Sequence, residues 1–355
     1  MNRPVTRSRR RFLAAIGASC LIAGCTGDGD EASPTPSPTQ TPTPTPTPDP
    51  TPSPTPEGSD HQPTGFTPLT DGNGEMYQGY PVSLYADGGN HPPDSHRKIV
   101  ERRLEEVLPR DESGSPAENG QTGMISIGMS NTSQAFGEFM RSISDEPQMA
   151  DHVTLVNGAQ GGQAAHAWAN ASSPWSEAKS RADHRSLTPA QIQVAWMKLC
   201  LIRPWRIGEF PITAHQLRDH IITIVKEANR HFPNLSVIYL SSRTYGGYDS
   251  IRLNPEPYAY EGGFSVQSVI QHQIDGHAGL NADSEQGEIE APALLWGPYL
   301  WADGPDGREF DDLVWERDDF IHDGIHPSGS GMQKVADLLL EYFTTHSLAT
   351  PWFVE

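Results

Sequence analysis

The 355 residues carry 25 Lys and Arg against 45 Asp and Glu, a formal charge of −20. A field of that sign repels phosphate, so a nucleic-acid partner is excluded. Cys20, Cys25 and Cys200 are the only cysteines, too few for a disulfide framework or a thiolate metal site.

Residues 1–24 place a basic stretch before a short apolar run and small residues. The run is shorter than the roughly 20 residues that cross a bilayer, which marks an export signal. Ser8-Arg9-Arg10-Arg11-Phe12-Leu13 resembles a twin-arginine motif, and Leu21-Ile22-Ala23-Gly24-Cys25 resembles a lipobox. The second resemblance implies that Cys25 becomes the lipidated first residue of the mature chain.

Residues 25–57 are a Thr/Pro-rich segment, nearly pure Thr-Pro with Ser from Ala32 to Glu57, and eleven of the 32 prolines fall between Pro34 and Pro56. Proline fixes φ and lacks an amide donor, so this segment is expected to be a disordered, extended stalk of about 3.1 Å per residue. Lipid, stalk and domain together describe a protein on the outer face of the cell membrane, touching lipid only through its anchor. Loss of residues 1–24 removes five arginines and no acid, which takes the charge from −20 to −25. Such an acidic, lysine-poor chain holds hydrated cations when salt screens its repulsion, and the composition resembles that of haloarchaeal secreted proteins.

Residues 58–120 are rich in Gly, Asp, Asn and Pro. They are expected to form an irregular extension packed on the domain, with one helix over 95–108, where Ile99, Leu104 and Leu108 share a side. Within 121–355, short apolar runs at 124–130, 153–160, 192–198, 236–243 and 291–300 alternate with longer amphipathic stretches. Runs without alternation indicate strands buried on both faces, and intervening helices require crossovers. The fold class is therefore α/β: a three-layer α/β/α sandwich around a parallel sheet of about five strands, with helices over 133–142, 213–231, 263–276 and 329–345. Ligands in such folds bind at the carboxyl ends of the strands.

The first run ends in Gly128-Met129-Ser130-Asn131. A serine between a strand and a helix start has an exposed hydroxyl and an amide free to stabilise an oxyanion, although serine there is most often an N-cap. Far along the chain, Asp323-Gly324-Ile325-His326-Pro327 precedes the last helix. Asp-x-x-His on one loop can deliver a histidine together with the carboxylate that fixes its tautomer.

The order of these blocks resembles the SGNH/GDSL hydrolase superfamily over roughly residues 121–346, and Gly-x-Ser-Asn is closest to its carbohydrate O-acetylesterases. The resemblance implies a serine esterase with Ser130 as nucleophile, His326 as base and Asp323 orienting it. An acylated carbohydrate or other small ester would be the substrate. The glycine block is Asn157-Gly158-Ala159-Gln160-Gly161-Gly162, with Gly162 as oxyanion donor beside the Ser130 amide and Gly161 as the alternative. The family's Gly-x-Asn-Asp is missing, and Lys198 lies near the place of its asparagine, where an ammonium could donate to the oxyanion or bind a substrate carboxylate. A rival reading is a surface carbohydrate-binding or adhesion domain without turnover; a third is an acyltransferase.

Asn131, Arg243 and Tyr245 are expected to contact substrate, with Arg243 and Tyr245 at the rim, where Arg suits a carboxylate or sugar hydroxyl and Tyr stacks on a sugar ring. Tyr258, Tyr260, Trp296, Tyr299 and Trp301 could add an aromatic platform. No metal site is expected, since His322, Asp323 and His326 lack a completing ligand. No cofactor is expected either, because neither a P-loop nor a dinucleotide fingerprint occurs.

Overall fold

The computed structural model describes residues 63–143 and 149–354. The signal, the stalk and Cys25 lie outside the described residues. A small hairpin, β1 (Met76–Tyr77) and β2 (Tyr80–Pro81), comes first, followed by α1 (Asp94–Glu105). The regular part then runs β3 (Thr122–Gly128), α2 (Ser130–Ile143), β4 (Val153–Val156), α3 (Ala165–Asn170), α4 (Ser173–Asp183) and β5 (Ile192–Lys198). It continues with α5 (Ile212–His231), β6 (Val237–Ser241), α6 (Tyr258–Ile274), β7 (Ala293–Trp296), α7 (Gly329–Thr345) and α8 (Thr350–Phe353).

The five strands pair in the order β4-β3-β5-β6-β7, all parallel. Every residue of β3, β5, β6 and β7 is buried. Burial on both faces is why these segments read as unbroken apolar runs, and it requires helices above and below. Helix α2 packs on α7, and α5 packs on α6 and α3, which gives the three-layer α/β/α sandwich. The chain enters the sheet at β3, moves to β4 on one side, and then crosses back to β5 on the other. That reversal opens a crevice at the carboxyl ends of β3, β4 and β5, where ligands of open α/β sheets bind.

Residues 63–120 do more than coat this sandwich. Leu69, Tyr85, Val100, Leu104 and Val107 are buried in the main core, and α1 lies against β6 and β7. His96 of α1 sits 2.7 Å from the Leu294 carbonyl, tying the helix to the edge strand.

Candidate active site

The geometry starts at the carboxyl end of β3. Helix α2 begins at Ser130 itself, three residues earlier than the helical spacing predicts, and Ser133 N donates to the Met129 carbonyl at 2.9 Å. Ser130 thus occupies the first turn, where unpaired amides and the helix dipole favour negative charge.

The loop after β4 is fastened to this turn. Ser126 Oγ donates to Asn157 Oδ1 at 3.1 Å, and Asn157 Nδ2 donates to the Ser133 carbonyl at 2.7 Å. Gln160 N and Trp168 Nε1 both donate to the Gly128 carbonyl, at 3.0 and 3.2 Å. Arg181 of α4 donates to the carbonyls of Asn157 and Ala159 at 3.1 and 2.8 Å. Gly162 then turns with φ +77°, a conformation that other residues rarely adopt. A methyl group at Gly161 would lie 4.0 Å from Ser130 Cβ, so Gly161 stands beside the serine, with Gly162 the next residue of the same exposed turn.

The loop before α7 supplies the opposite side. Ser130 Oγ lies 2.7 Å from His326 Nε2, and His326 Nδ1 lies 2.7 Å from Asp323 Oδ2. Burial pushes the Asp323 carboxyl up, but the His326 and Ile325 amides, each 3.0 Å from Oδ1, and the imidazole outweigh it, so its pKa lies below the usual carboxylate value. Gly324, at φ +71°, allows the loop to bend against the Tyr248 carbonyl, which a Cβ would strike. Arg317 straps the same loop from outside, donating to the carbonyls of Phe320, Ile321 and His322 at 2.9 to 3.0 Å.

Ser130, His326 and Asp323, the first separated from the others by nearly two hundred residues, thus form one hydrogen-bonded line, with Gly161 beside the serine. Lys198 and Asn131 go elsewhere. Lys198 is only 2% exposed, and its Nζ donates to Asn131 Oδ1 at 3.2 Å, below the serine turn. Asn131 is itself buried, so the expected substrate contact is instead an internal bridge. Arg243 and Tyr245, each 1% exposed, are not at the rim as expected. Arg243 is buried beside Lys198 and Cys200, close enough for its charge to act on both. The expected aromatic platform is likewise core: Tyr260, Trp296, Tyr299 and Trp301 are buried, and Trp301 Nε1 donates to Glu256 Oε1 at 2.8 Å.

Sequence reasoning missed Arg181, Trp168 and Arg317. Each acts on backbone carbonyls through a side chain with no local motif, and the available signal was only that a polar stretch held an Arg or a Trp.

No family model and no curated protein matches the sequence. Among solved structures, the chain is similar to a “putative acylhydrolase” from Bacteroides fragilis NCTC 9343, with 12% identity over 71% of this chain and 97% of that one and a TM-score of 0.33. It is also similar to a lipase from a goat rumen metagenome, with 15% identity, coverage of 62% and 97%, and a TM-score of 0.34. A protein from Arabidopsis thaliana matches with 12% identity, coverage of 59% and 67%, and a TM-score of 0.32.

Proposed function

We propose that the protein is a serine hydrolase of carboxylic esters. The observation that carries this reading is the continuous line from Ser130 Oγ through both nitrogens of His326 to Asp323, with 2.7 Å at each step. His326 Nε2 takes the serine proton as Oγ attacks the carbonyl carbon, and Asp323 stabilises the imidazolium that forms. The amides of Ser130 and Gly162 receive the developing oxyanion. His326 then returns its proton to the departing alcohol oxygen, and water, activated by the same imidazole, hydrolyses the acyl-serine. With Lys198 bound to Asn131, two amides constitute the oxyanion hole.

For the alcohol half of the ester, a carbohydrate hydroxyl is supported by the Gly128-Met129-Ser130-Asn131 block alone, because the residues that were to meet the sugar are buried apart from the half-buried Tyr258. That burial also weakens the rival reading of a carbohydrate-binding domain. Placement on the outer face of the membrane, through a lipid on Cys25, rests on residues 1–25.

The test is a fluorophosphonate probe applied to the intact protein, followed by peptide mapping. Labelling at Ser130 that is lost in His326→Ala supports the reading. An unlabelled serine in folded protein that also fails to cleave aryl esters rejects it.

A further inference from the structure

Gly162 lines a groove of about 400 Å³ between the loop after β4, α3, the connection from β5 to α5 and α5 itself. A volume of about 300–1,000 Å³ is usual for a small-molecule site, and an acetyl group would leave most of this one empty. The walls include Ala164, Ala167, Leu201, Ile202 and Ile207. Among the described residues, no Asp, Glu, Lys or Arg lines it. Ile202 is 39% and Ile207 38% exposed. On a surface otherwise so rich in carboxylates, apolar side chains gathered at a concavity mark a place where something apolar is bound.

The position of the groove selects its occupant. In the ester hydrolysis proposed above, His326 must reach the leaving oxygen, so the alcohol lies towards the Asp323–His326 loop, and no residue of that loop lines the groove. The donor glycine, in contrast, forms its near end. A group that extends past Gly162 while the carbonyl oxygen faces the donors is the remainder of the acyl part. The lining also includes His166 of α3 and His220 of α5, edge to face with ring centroids 5.7 Å apart. Burial first, and the His166 charge next, hold the His220 pKa below the usual histidine value, which keeps that lining compatible with an apolar chain.

We propose that this groove binds the acyl chain of the substrate, and that the enzyme prefers esters of apolar acyl groups several methylenes long over acetates. This rests on the ester-hydrolase reading.

The test is kcat/KM for p-nitrophenyl acetate, butyrate, hexanoate and octanoate, measured with the full chain in molar KCl. Each methylene buried in the groove should raise kcat/KM by about fourfold, and the rise should end once the chain fills the groove. Ala167→Trp, which fills the groove, and Ile207→Asp, which makes its exposed wall polar, should each flatten this profile. Two variants are used so that misfolding of one leaves the other to judge. Acetate cleavage with a profile that is flat or falls with chain length overturns the acyl groove and leaves the hydrolase intact. A rising profile that neither folded variant changes also overturns it. Absence of turnover on every ester, together with no fluorophosphonate labelling of Ser130, overturns both.

Discussion

Lys198 Nζ stands 3.2 Å from Asn131 Oδ1, so the residue next to the candidate nucleophile is held from below by the last residue of β5. Burial, reinforced by the neighbouring Arg243 charge, lowers the Lys198 pKa to about 7. The unfolded lysine titrates near 10.4, so between about pH 7 and 10 the unfolded chain binds more protons, and stability rises with pH through that window. Below pH 7 the cost of burying the charge is felt in full. Lys198→Met should therefore raise the melting temperature most at pH 6, with a gap that narrows by pH 9. Replacing buried ion pairs with apolar side chains has been neutral or stabilising by about 1–4 kcal/mol in other proteins. A gap of the same size at both pH values would show that Lys198 stays charged in the folded state up to pH 9, so that its pKa is not lowered. Loss of the Asn131 tether should also lower kcat, by about tenfold, through a looser serine turn.

Ser130→Ala and His326→Ala should each reduce kcat for an aryl ester by about 10⁴-fold or more, and the double variant should lose little further, since the two act as one unit. Asp323→Asn should be milder. The amides of Ile325 and His326 still find an acceptor in the asparagine side chain, so the loop keeps its shape. The Ser130 hydroxyl is not a core contact, and Ser130→Ala should melt within about 1 °C of the parent. Substantial ester turnover by that variant would remove Ser130 from the mechanism.

Much of the fold was legible because burial on both sheet faces leaves a local mark. The run 192–198 coincides with β5, and the spacing over 329–345 coincides with α7, where Ser328 Oγ caps the helix by accepting from Gly331 N. Ser130 and the Asp323–His326 pair were readable because strand ends and one tight loop carry them. Helices α3 and α4 were not anticipated. They are short and lie in an Ala- and Ser-rich stretch whose apolar spacing is carried by only a few residues such as Trp168 and Trp175. Arg243 follows a strand end, a position that predicts the rim, but it is buried beside Lys198 and Cys200, more than forty positions earlier in the sequence. Similarly, the Lys198–Asn131 bond joins residues 67 positions apart, a pairing for which no local pattern exists.

Glu261 of α6 is a second buried charge whose sign is opposite. Burial, which outweighs the stabilising bond from the Tyr77 hydroxyl at 2.8 Å, pushes its pKa up to about 7, and Glu256 and Glu209 push in the same direction. The unfolded value is near 4.3, so the folded state binds more protons between about pH 4 and 7, and stability falls as pH rises through that window. Glu261 Oε2 has no hydrogen-bond partner. Glu261→Gln keeps an acceptor for Tyr77 and removes the charge. It should leave the melting temperature at pH 5 nearly unchanged and raise it at pH 8, by about 2–4 °C for each kcal/mol relieved. An equal shift at both pH values would point to packing instead of ionisation.

Salt should stabilise the protein beyond the range in which simple screening saturates. The chain carries 45 acidic side chains against 25 basic ones, so at least 20 carboxylates have no cation to pair with and repel one another across the surface. The screening length falls from about 10 Å at 0.1 M to about 3 Å at 1 M salt, and an ordinary acidic protein gains most of its relief over that interval. A surface adapted to hydrated cations gains more, because each added potassium ion also fills a site among neighbouring carboxylates, and binding to the folded state alone adds stability by mass action. Thermal melts of residues 58–355 across KCl concentrations should show a melting temperature still climbing above 1 M, with loosening at low salt. A melting temperature that levels off by about 1 M would show screening alone, and the acidic composition would then have no halophilic role.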